Sequence, residues 1–337
     1  MCGQWGNNGY QRGRTPGKDL QLHDWCRIAD QLAYRGITVT LWGGEPLLSP
    51  LFYDVARYLK EKGIRTNLVT NGVLIGERAC ELQDLFDDIF ISVDGPAPVH
   101  DEIRGVAGTF DRIANGIRNV RSIMPRQRII IMTTLVRENI GHLQELAEYL
   151  RIWDINEWVL GPQMFMSRKR IDDYREMNDR LGVHHVTANS WYDHFPKGYG
   201  AQCMRTVRTL IDDNPDLKIQ LSAETMPLDD IEKWFDTPDD DIAPHHCYAP
   251  FRRLSIQSDG ETSFCLDITD GTLGNVRDSS IDELFNASSA VAYRDVIQSG
   301  SSAACLRCVW KWHDAPFDTS AGDGRNKLFE KGQLCPR

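Results

Sequence analysis

Trp42-Gly43-Gly44-Glu45-Pro46 closes the apolar run Ile37–Leu41, and the reading of this stretch decides the fold. A short apolar run rich in β-branched residues that ends in two glycines and a proline reads as a buried strand stopping in a tight loop. Upstream, residues 19–35 carry apolar side chains at helical spacing and end at Gly36; downstream, residues 50–62 do the same and end at Gly63. Asp19 stands where the first of these helices needs an N-cap. The unit then repeats. Strand patterns fall at Thr66–Thr70, Asp88–Val93, Arg128–Leu135 and Glu157–Leu160, with helical patterns at 77–87, 109–123 (N-cap Thr109) and 140–151. Buried strands alternating with amphipathic helices predict an α/β fold around a parallel sheet, open or closed into a barrel. The chain opens on a loop and a helix, so the strand expected before that helix is missing from the pattern.

Beyond residue 165 the rhythm dissolves into charged helical stretches and the loop-like Thr237–Pro244, and a domain boundary is expected near 237–246. The run Asp239-Asp240-Asp241 reads as a solvated linker. Residues 247–337 differ in composition, with short strands such as Arg253–Gln257 and five of the nine cysteines. With 337 residues and 41% hydrophobic content, the chain can bury a large core in one or two domains. Its net charge of −10 argues against nucleic acid as a partner. No apolar stretch reaches the roughly 18 residues of a membrane span, and the polar, glycine-rich start is unlike a signal peptide. The expected compartment is a reducing cytoplasm, where cysteines point to metal binding or catalysis before disulfides. Cys26, Cys80 and Cys203 sit on helical faces and read as core thiols. The pairs His184-His185 and His245-His246 lack partners at ligand spacing.

Parallel sheets and α/β barrels bind ligands at the C-terminal ends of their strands, and the unusual residues cluster there. Gly43 and Gly44 would let a ligand approach the backbone, Pro46 fixes the turn, and Glu45 could hold an ammonium group. The next strands end in Thr70-Asn71-Gly72 and Ser92-Val93-Asp94-Gly95-Pro96, followed by His100-Asp101-Glu102-Ile103-Arg104-Gly105. Each alone could be ordinary turn chemistry. In this order on successive strand ends, they resemble the radical S-adenosylmethionine (SAM) superfamily.

The resemblance implies a partial (β/α)6 TIM-like barrel lacking its first strand, over residues 1–236 with a helical extension. It implies SAM bound by Gly43, Gly44, Glu45 and Pro46, with Ser92, Asp94, Asn71 and Arg104 also in contact. The family's C-x3-C-x2-C motif holds a catalytic 4Fe-4S cluster, which cleaves SAM reductively to a 5′-deoxyadenosyl radical. Met1-Cys2-Gly3-Gln4-Trp5-Gly6 fits the end of that motif, with Cys2 as its third cysteine; the resemblance therefore implies a start truncated within the motif.

Cys247, Cys265, Cys305 and Cys308 form a second constellation. Twelve residues separate Cys247 from Gly260, four separate Gly260 from Cys265, and Cys305-Leu306-Arg307-Cys308 is a chelate. Four thiolates suit zinc or an iron–sulfur cluster. Closing the 39-residue gap between Cys265 and Cys305 costs about 2.7 kcal/mol more than a two-residue one. A four-thiolate metal site is worth about 10–16 kcal/mol, so the spacing is no obstacle. The opening C-x12-G-x4-C looks like the start of a SPASM domain, which implies a small cysteine-rich α+β module over 247–337. Val309–Leu334 holds no cysteine, so the ligands suffice for one auxiliary 4Fe-4S cluster, as in the shortened twitch version; Cys335 is a remnant ligand or a tail thiol. A structural zinc ribbon on the same four cysteines stays open. The resemblance implies hydrogen abstraction from a peptide or small-molecule substrate, in a maturase or dehydrogenase, with a flavodoxin- or ferredoxin-like electron donor. The alternative is a non-enzymatic, truncated homologue that only binds metal.

Overall fold

The computed structural model describes residue 9 and residues 18–181, 187–222, 226–243, 247–267, 271–298 and 303–313. Cys2, the histidine pairs at 184–185 and 245–246, and Cys335 lie outside the described residues.

The first region alternates helix and strand as its sequence dictates. Helix α1 (Leu22–Leu32) precedes β1 (Thr38–Leu41), α2 (Phe52–Glu61) and β2 (Arg65–Thr70). Then come β3 (Asp88–Ser92), α3 (Ala97–Arg104), α4 (Thr109–Ile123), β4 (Arg128–Leu135), α5 (Leu143–Ile152) and β5 (Glu157–Pro162). After α6 (Arg168–Leu181) and α7 (Tyr199–Asp213), a sixth strand, β6 (Ile219–Leu221), extends the sheet, and α8 (Asp230–Asp236) follows. The strand order is β1-β2-β3-β4-β5-β6 and every pairing is parallel. A parallel sheet must be covered on its faces. Leu68, Ile89, Ile91, Ile129, Ile131 and Leu160 are accordingly buried against Ile113, Ile117 and Val120 of α4 and Leu146 and Leu150 of α5. At the centre, Trp158 is fully buried and its Nε1–H donates to Thr133 Oγ1 at 2.9 Å.

The N-terminal ends of the strands carry charge instead. Asp88 bridges Arg65 (2.8 Å) and Arg128 (2.7 Å), and Glu157 accepts from Lys218 (2.7 Å), tying neighbouring strands together at the floor of the sheet.

Several local expectations change. Gly63 follows the C-cap of α2 at φ +67°, the left-handed conformation that glycine adopts without penalty, whereas α1 stops earlier, at Leu32 with Ala33 as its C-cap, so Gly36 (φ +67°) lies in the turn beyond it. The N-cap of α1 is Gln21 rather than Asp19, and Asp24 accepts its backbone N–H at 2.9 Å. Gly108, not Thr109, is the N-cap of α4; the capping carboxylate is Asp101 on α3, which accepts from Thr109 Oγ1 (2.6 Å) and Phe110 N (2.9 Å). Residues 77–87 are not a helix: 73–85 run as consecutive turns that still bury Ala79, Leu82 and Leu85. Cys80 is exposed and Cys26 half-buried, so neither is a core thiol, whereas Cys203 is fully buried on α7.

The C-terminal module consists of α9 (Ala249–Arg252), a three-stranded antiparallel sheet of β7 (Ser255–Ile256), β8 (Glu261–Ser263) and β9 (Gly274–Asn275), and helices α10 (Ile281–Asn286), α11 (Ser288–Gln298) and α12 (Trp310–His313). It packs on α1. One face of α1 buries Ala29 with Val55, Leu59 and Ile64 of the first region, while Ile28, with Leu20 just ahead of the helix, is buried with Val276, Ile281 and Leu284 of the module. A bidentate Arg35–Asp282 pair (2.7 and 2.9 Å) closes the rim of that contact. Between the regions, the side chains of Asp239–Asp241 are exposed as expected, but the Asp239 and Asp240 carbonyls accept from the buried Arg170 and Arg307. The linker is therefore held to both regions at Asp239 and Asp240. Among the described residues, no helix is long and apolar enough to cross a membrane.

Candidate cofactor sites

Three successive strands of the parallel sheet deliver the expected ligand residues to one edge. Glu45, half-buried just past β1, accepts from Thr70 Oγ1 (2.7 Å) and Leu47 N (3.2 Å) through Oε1, and from Asn71 N (2.8 Å) through Oε2. Its carboxylate is thus fixed by the ends of β1 and β2, and Oε2, which accepts only once, keeps a lone pair for an incoming cation. Gly43 and Gly44 are exposed beside it, and a Cβ on Gly43 would meet nothing within 4 Å. Open backbone next to a held carboxylate is what the amino and carboxylate ends of an amino acid need, so the residues present fit the methionyl part of SAM. Asn71 turns its Oδ1 to Val73 N (2.9 Å).

The next strand end behaves differently. Ser92 ends β3, paired with Met132. Asp94 is wholly buried; its Oδ1 accepts from Thr134 N (3.1 Å) and its Oδ2 lies 2.6 Å from Arg104 Nη2. Asn139, absent from the sequence-based set, donates to Asp94 O (2.8 Å) and Thr134 O (2.7 Å), lacing β3 to β4. Asp94 and Arg104 are therefore engaged with each other, and the Arg104 side chain, 31% exposed, is the member that reaches solvent.

His100 on α3 is buried beneath this pair, and its Nδ1 accepts from Asp94 N at 3.1 Å, which requires that nitrogen to be unprotonated. Burial pushes its pKa below the usual histidine value; Asp94 and Asp101 oppose that and Arg104 reinforces it. The unfolded chain then takes up a proton more readily than the folded one, so stability rises with pH there. Stability is expected to be fully present above the unfolded histidine pKa, about 6.5, and to fall as the pH drops through that value toward the lower folded one. Urea titrations of wild type and His100→Gln between pH 7.5 and 5 should diverge in slope, and parallel curves would discount the buried imidazole.

The second constellation converges. Cys308 is 9% exposed, and burial pushes its thiol well above the usual range, with Cys265, Cys305 and Cys247 adding to the push. The same three sulfurs act on the phenol of Tyr293, whose pKa burial also raises. The other three cysteines, drawn from three separate segments, therefore lie within electrostatic reach of both Cys308 and Tyr293. Four thiols cannot ionise together in such a place without a compensating cation, and this donor set fits an iron–sulfur cluster. Among the described residues, no three His, Cys, Asp or Glu side chains are close enough to hold one metal ion.

The two sites are neighbours. Trp42, immediately before Gly43, packs on Trp310, two residues past Cys308, at 6.4 Å between ring centroids. A loop missed in the sequence, residues 187–195, spans the same gap further along the edge. Asp193 accepts from Gln163 Nε2 (2.8 Å), Arg137 stacks on Phe195 (4.1 Å), and Trp191 Nε1 donates to Asp267 O (3.2 Å), two residues past Cys265.

Residues 1–150 match the radical SAM superfamily, and residues 247–309 match SPASM, an iron–sulfur cluster-binding domain. An AdoMet-dependent heme synthase of Methanosarcina barkeri is 33% identical over 143 residues, covering 40% of this chain and 39% of that protein. The mycofactocin maturase MftC of Mycobacterium tuberculosis is 30% identical over 138 residues, covering 40% and 34%. The chain therefore matches less than half the length of these curated relatives, 39% of one and 34% of the other. Among solved structures, Streptococcus suis SuiB bound to S-adenosylmethionine matches with a TM-score of 0.61 at 16% identity, covering 84% of this chain and 62% of that one. SuiB bound to its precursor peptide SuiA matches with 0.60 at 15%, covering 91% and 67%. At such identities the likeness is one of fold.

Proposed function

Because residues 1–150 belong to the radical SAM superfamily and residues 247–309 to the SPASM family, we propose that this chain binds SAM at the C-terminal edge of its sheet and serves radical modification of a peptide. The observation that carries the proposal is the contact of Trp42, next to Gly43, with Trp310, two residues past Cys308. A SAM site on Gly43, Gly44, Glu45 and Pro46 would open onto the module that holds Cys247, Cys265, Cys305 and Cys308. When bound, cluster and SAM supply a 5′-deoxyadenosyl radical that removes a hydrogen atom from the substrate, after one electron from a flavodoxin- or ferredoxin-like donor.

The chain's own residues bind and orient. Glu45 would receive the ammonium group of SAM in a charge-assisted bond, and Thr70 and the Asn71 N–H hold that carboxylate in place. Arg104, kept at the sheet edge by Asp94, offers a cation for the carboxylate of SAM. Loop 187–195 bridges the sheet edge and the module, through Gln163–Asp193 on one side and Trp191–Asp267 on the other. A peptide substrate is favoured by the likeness in fold to SuiB, solved with a precursor peptide, and by the name of the MftC relative as a maturase.

Glu45→Gln removes the charge while keeping one acceptor oxygen for the Asn71 N–H and an NH2 that can donate to Thr70 Oγ1, at the loss of the acceptor for Leu47 N. Loss of one charged hydrogen bond, about 1.5–3 kcal/mol, predicts SAM binding weaker by roughly tenfold to a hundredfold, with iron content and circular dichroism unchanged. Equilibrium dialysis with labelled SAM on anaerobically reconstituted protein measures this. Equal affinity in the variant would remove Glu45 from the site, and no 5′-deoxyadenosine from the reconstituted wild type would favour the metal-binding, non-enzymatic alternative.

A further inference from the structure

Residues 191–195 run as an extended segment beside the chain that leaves β5. Tyr192 pairs in parallel with Met166, and Met166 N donates to Trp191 O at 2.8 Å. In an extended segment alternate side chains point to opposite faces. Trp191, Asp193 and Phe195 turn inward, and each has its partners. Trp191 packs against the cluster of Met166, Ile171 and Ala304. Asp193 accepts from Gln163 Nε2 (2.8 Å) and Arg137 Nη2 (3.0 Å). Phe195 lies against Phe165 (4.8 Å) and Phe235 (4.7 Å). Tyr192, 42% exposed, and His194 turn outward, and neither fills a core. Their rings stack on each other instead, 6.3 Å apart at 27°. Arg168, the first residue of α6, lays its guanidinium over the Tyr192 ring at 4.2 Å. Among the described residues Arg168 forms no ion pair, whereas Lys169 beside it is paired with Asp173 (3.8 Å) and Asp239 accepts from Ser167 Oγ (2.6 Å).

We infer that Arg168, Tyr192 and His194 form a recognition surface for an acidic side chain of the peptide substrate. The inference rests on the proposal of a peptide substrate and names the kind of peptide. Gln163 directly follows β5 and Arg137 lies two residues past β4, so the segment is fastened to the strand-end edge that carries Glu45, Asn71 and Asp94 at β1, β2 and β3. The exposed stack thus stands on the next two strands along from the proposed SAM site. A guanidinium lying on a ring keeps its planar donor edge free, and that edge matches a carboxylate in a bidentate pair. The ring holds the cation in place through its π face, so less side-chain freedom is lost when an anion binds. His194 extends the aromatic shelf. Its own backbone is fixed, because His194 N donates to Asp193 Oδ1 (2.7 Å) and Arg137 donates to His194 O. The surface is therefore formed before a ligand arrives. In a chain of net charge −10 an acidic peptide is repelled overall, and an unpaired cation on an aromatic shelf supplies local attraction against that field.

Fluorescein-labelled peptides of one length, a glycine–tyrosine frame carrying glutamate, glutamine or lysine, test the surface by anisotropy on the whole chain without iron. At low ionic strength the glutamate peptide should bind about fivefold more tightly than the glutamine peptide, with the lysine peptide weakest, and added salt should narrow the difference. Arg168→Gln should abolish the preference for glutamate. Arg168→Lys should restore part of it, because an ammonium carries the charge without the planar fork. Tyr192→Leu, which keeps the cation and removes the ring face, should leave a smaller preference than wild type. Both positions are exposed, so circular dichroism should be unchanged in all three variants. Equal binding of the glutamate and glutamine peptides by wild type, or saturable binding of none of the peptides, overturns the recognition surface. A preference that survives Arg168→Gln overturns the assignment to this stack. Tighter binding of a labelled single-stranded oligonucleotide, lost in Arg168→Gln, assigns the surface to phosphate and overturns it as well. These measurements need neither iron nor SAM. A preference for glutamate in a protein that forms no 5′-deoxyadenosine after reconstitution therefore supports the surface and sinks the radical reading alone.

Discussion

Cys308→Ala is expected to drop iron from about four per chain to below one after reconstitution and desalting, while leaving the iron-free protein folded. Cys308 is the most buried of the four thiols for which exposure decides the matter, at 9%, and it is half of the two-residue chelate. In the iron-free protein the thiol is neutral, since burial and the other three cysteines all oppose its ionisation. Replacing a small neutral group by alanine then costs on the order of 1 kcal/mol. With metal bound, the same change removes one of four thiolates from a centre worth about 10 kcal/mol or more to the fold, so the loss is felt only in the loaded state. Thermal melts with and without iron read the difference directly: the wild type should gain stability on loading and the variant should not. Full retention of iron by Cys308→Ala would show that these cysteines do not share one centre. Stoichiometric zinc in place of iron would return the site to a ribbon.

Asp94→Ala is expected to destabilise the protein by about 3 kcal/mol, even with no ligand present. Asp94 has no exposed surface, and its carboxylate is shared by Arg104 and Thr134 N while its backbone is held by His100 and Asn139. Deleting it leaves a partly buried guanidinium without its counter-charge and a buried N–H without an acceptor. Arg104 is 31% exposed, which keeps the figure at the lower end of what broken buried pairs cost. Asp94→Asn, which keeps an acceptor for Thr134, should lose about half as much. Urea denaturation of the iron-free protein is the measurement. Stability equal to wild type in Asp94→Ala would mean the aspartate serves ligand alone, as its place in Ser92-Val93-Asp94-Gly95-Pro96 suggested.

That residue also shows where sequence reading runs out. The strands were legible because Ile129–Ile131 or Leu68–Val69 admit little else, and the strand ends stood out because glycine, proline and acidic residues interrupt apolar runs. Nothing local distinguishes Glu45, which keeps a lone pair on Oε2 beside an open backbone, from Asp94, whose partners Thr134 and Asn139 come from the next strand and its loop. The misread helix at 77–87 has a physical cause too. Ala79, Leu82 and Phe86 carry the spacing of a helical stripe, and they are buried, but through successive turns rather than a continuous hydrogen-bond ladder. Strand β6 escaped notice because three residues, Ile219-Gln220-Leu221, are too few to show a period. The four cysteines could be grouped from spacing alone.

Helix α1 has a consequence for how the polypeptide can be divided. A cut within 237–246 looks natural on paper, yet α1 supplies wall to both halves: Ala29 to one interior, Ile28 to the other. Severed at that point, the amino-terminal piece would display an oily strip where Val276 and Leu284 had lain, and the carboxy-terminal piece would lose the lid over its own. Neither would dissolve well alone, but mixed together they should recognise each other through that strip and re-form a single particle. The shared helix thus couples the two regions across the boundary drawn in the sequence, with Ala29 in one core and Ile28 in the other.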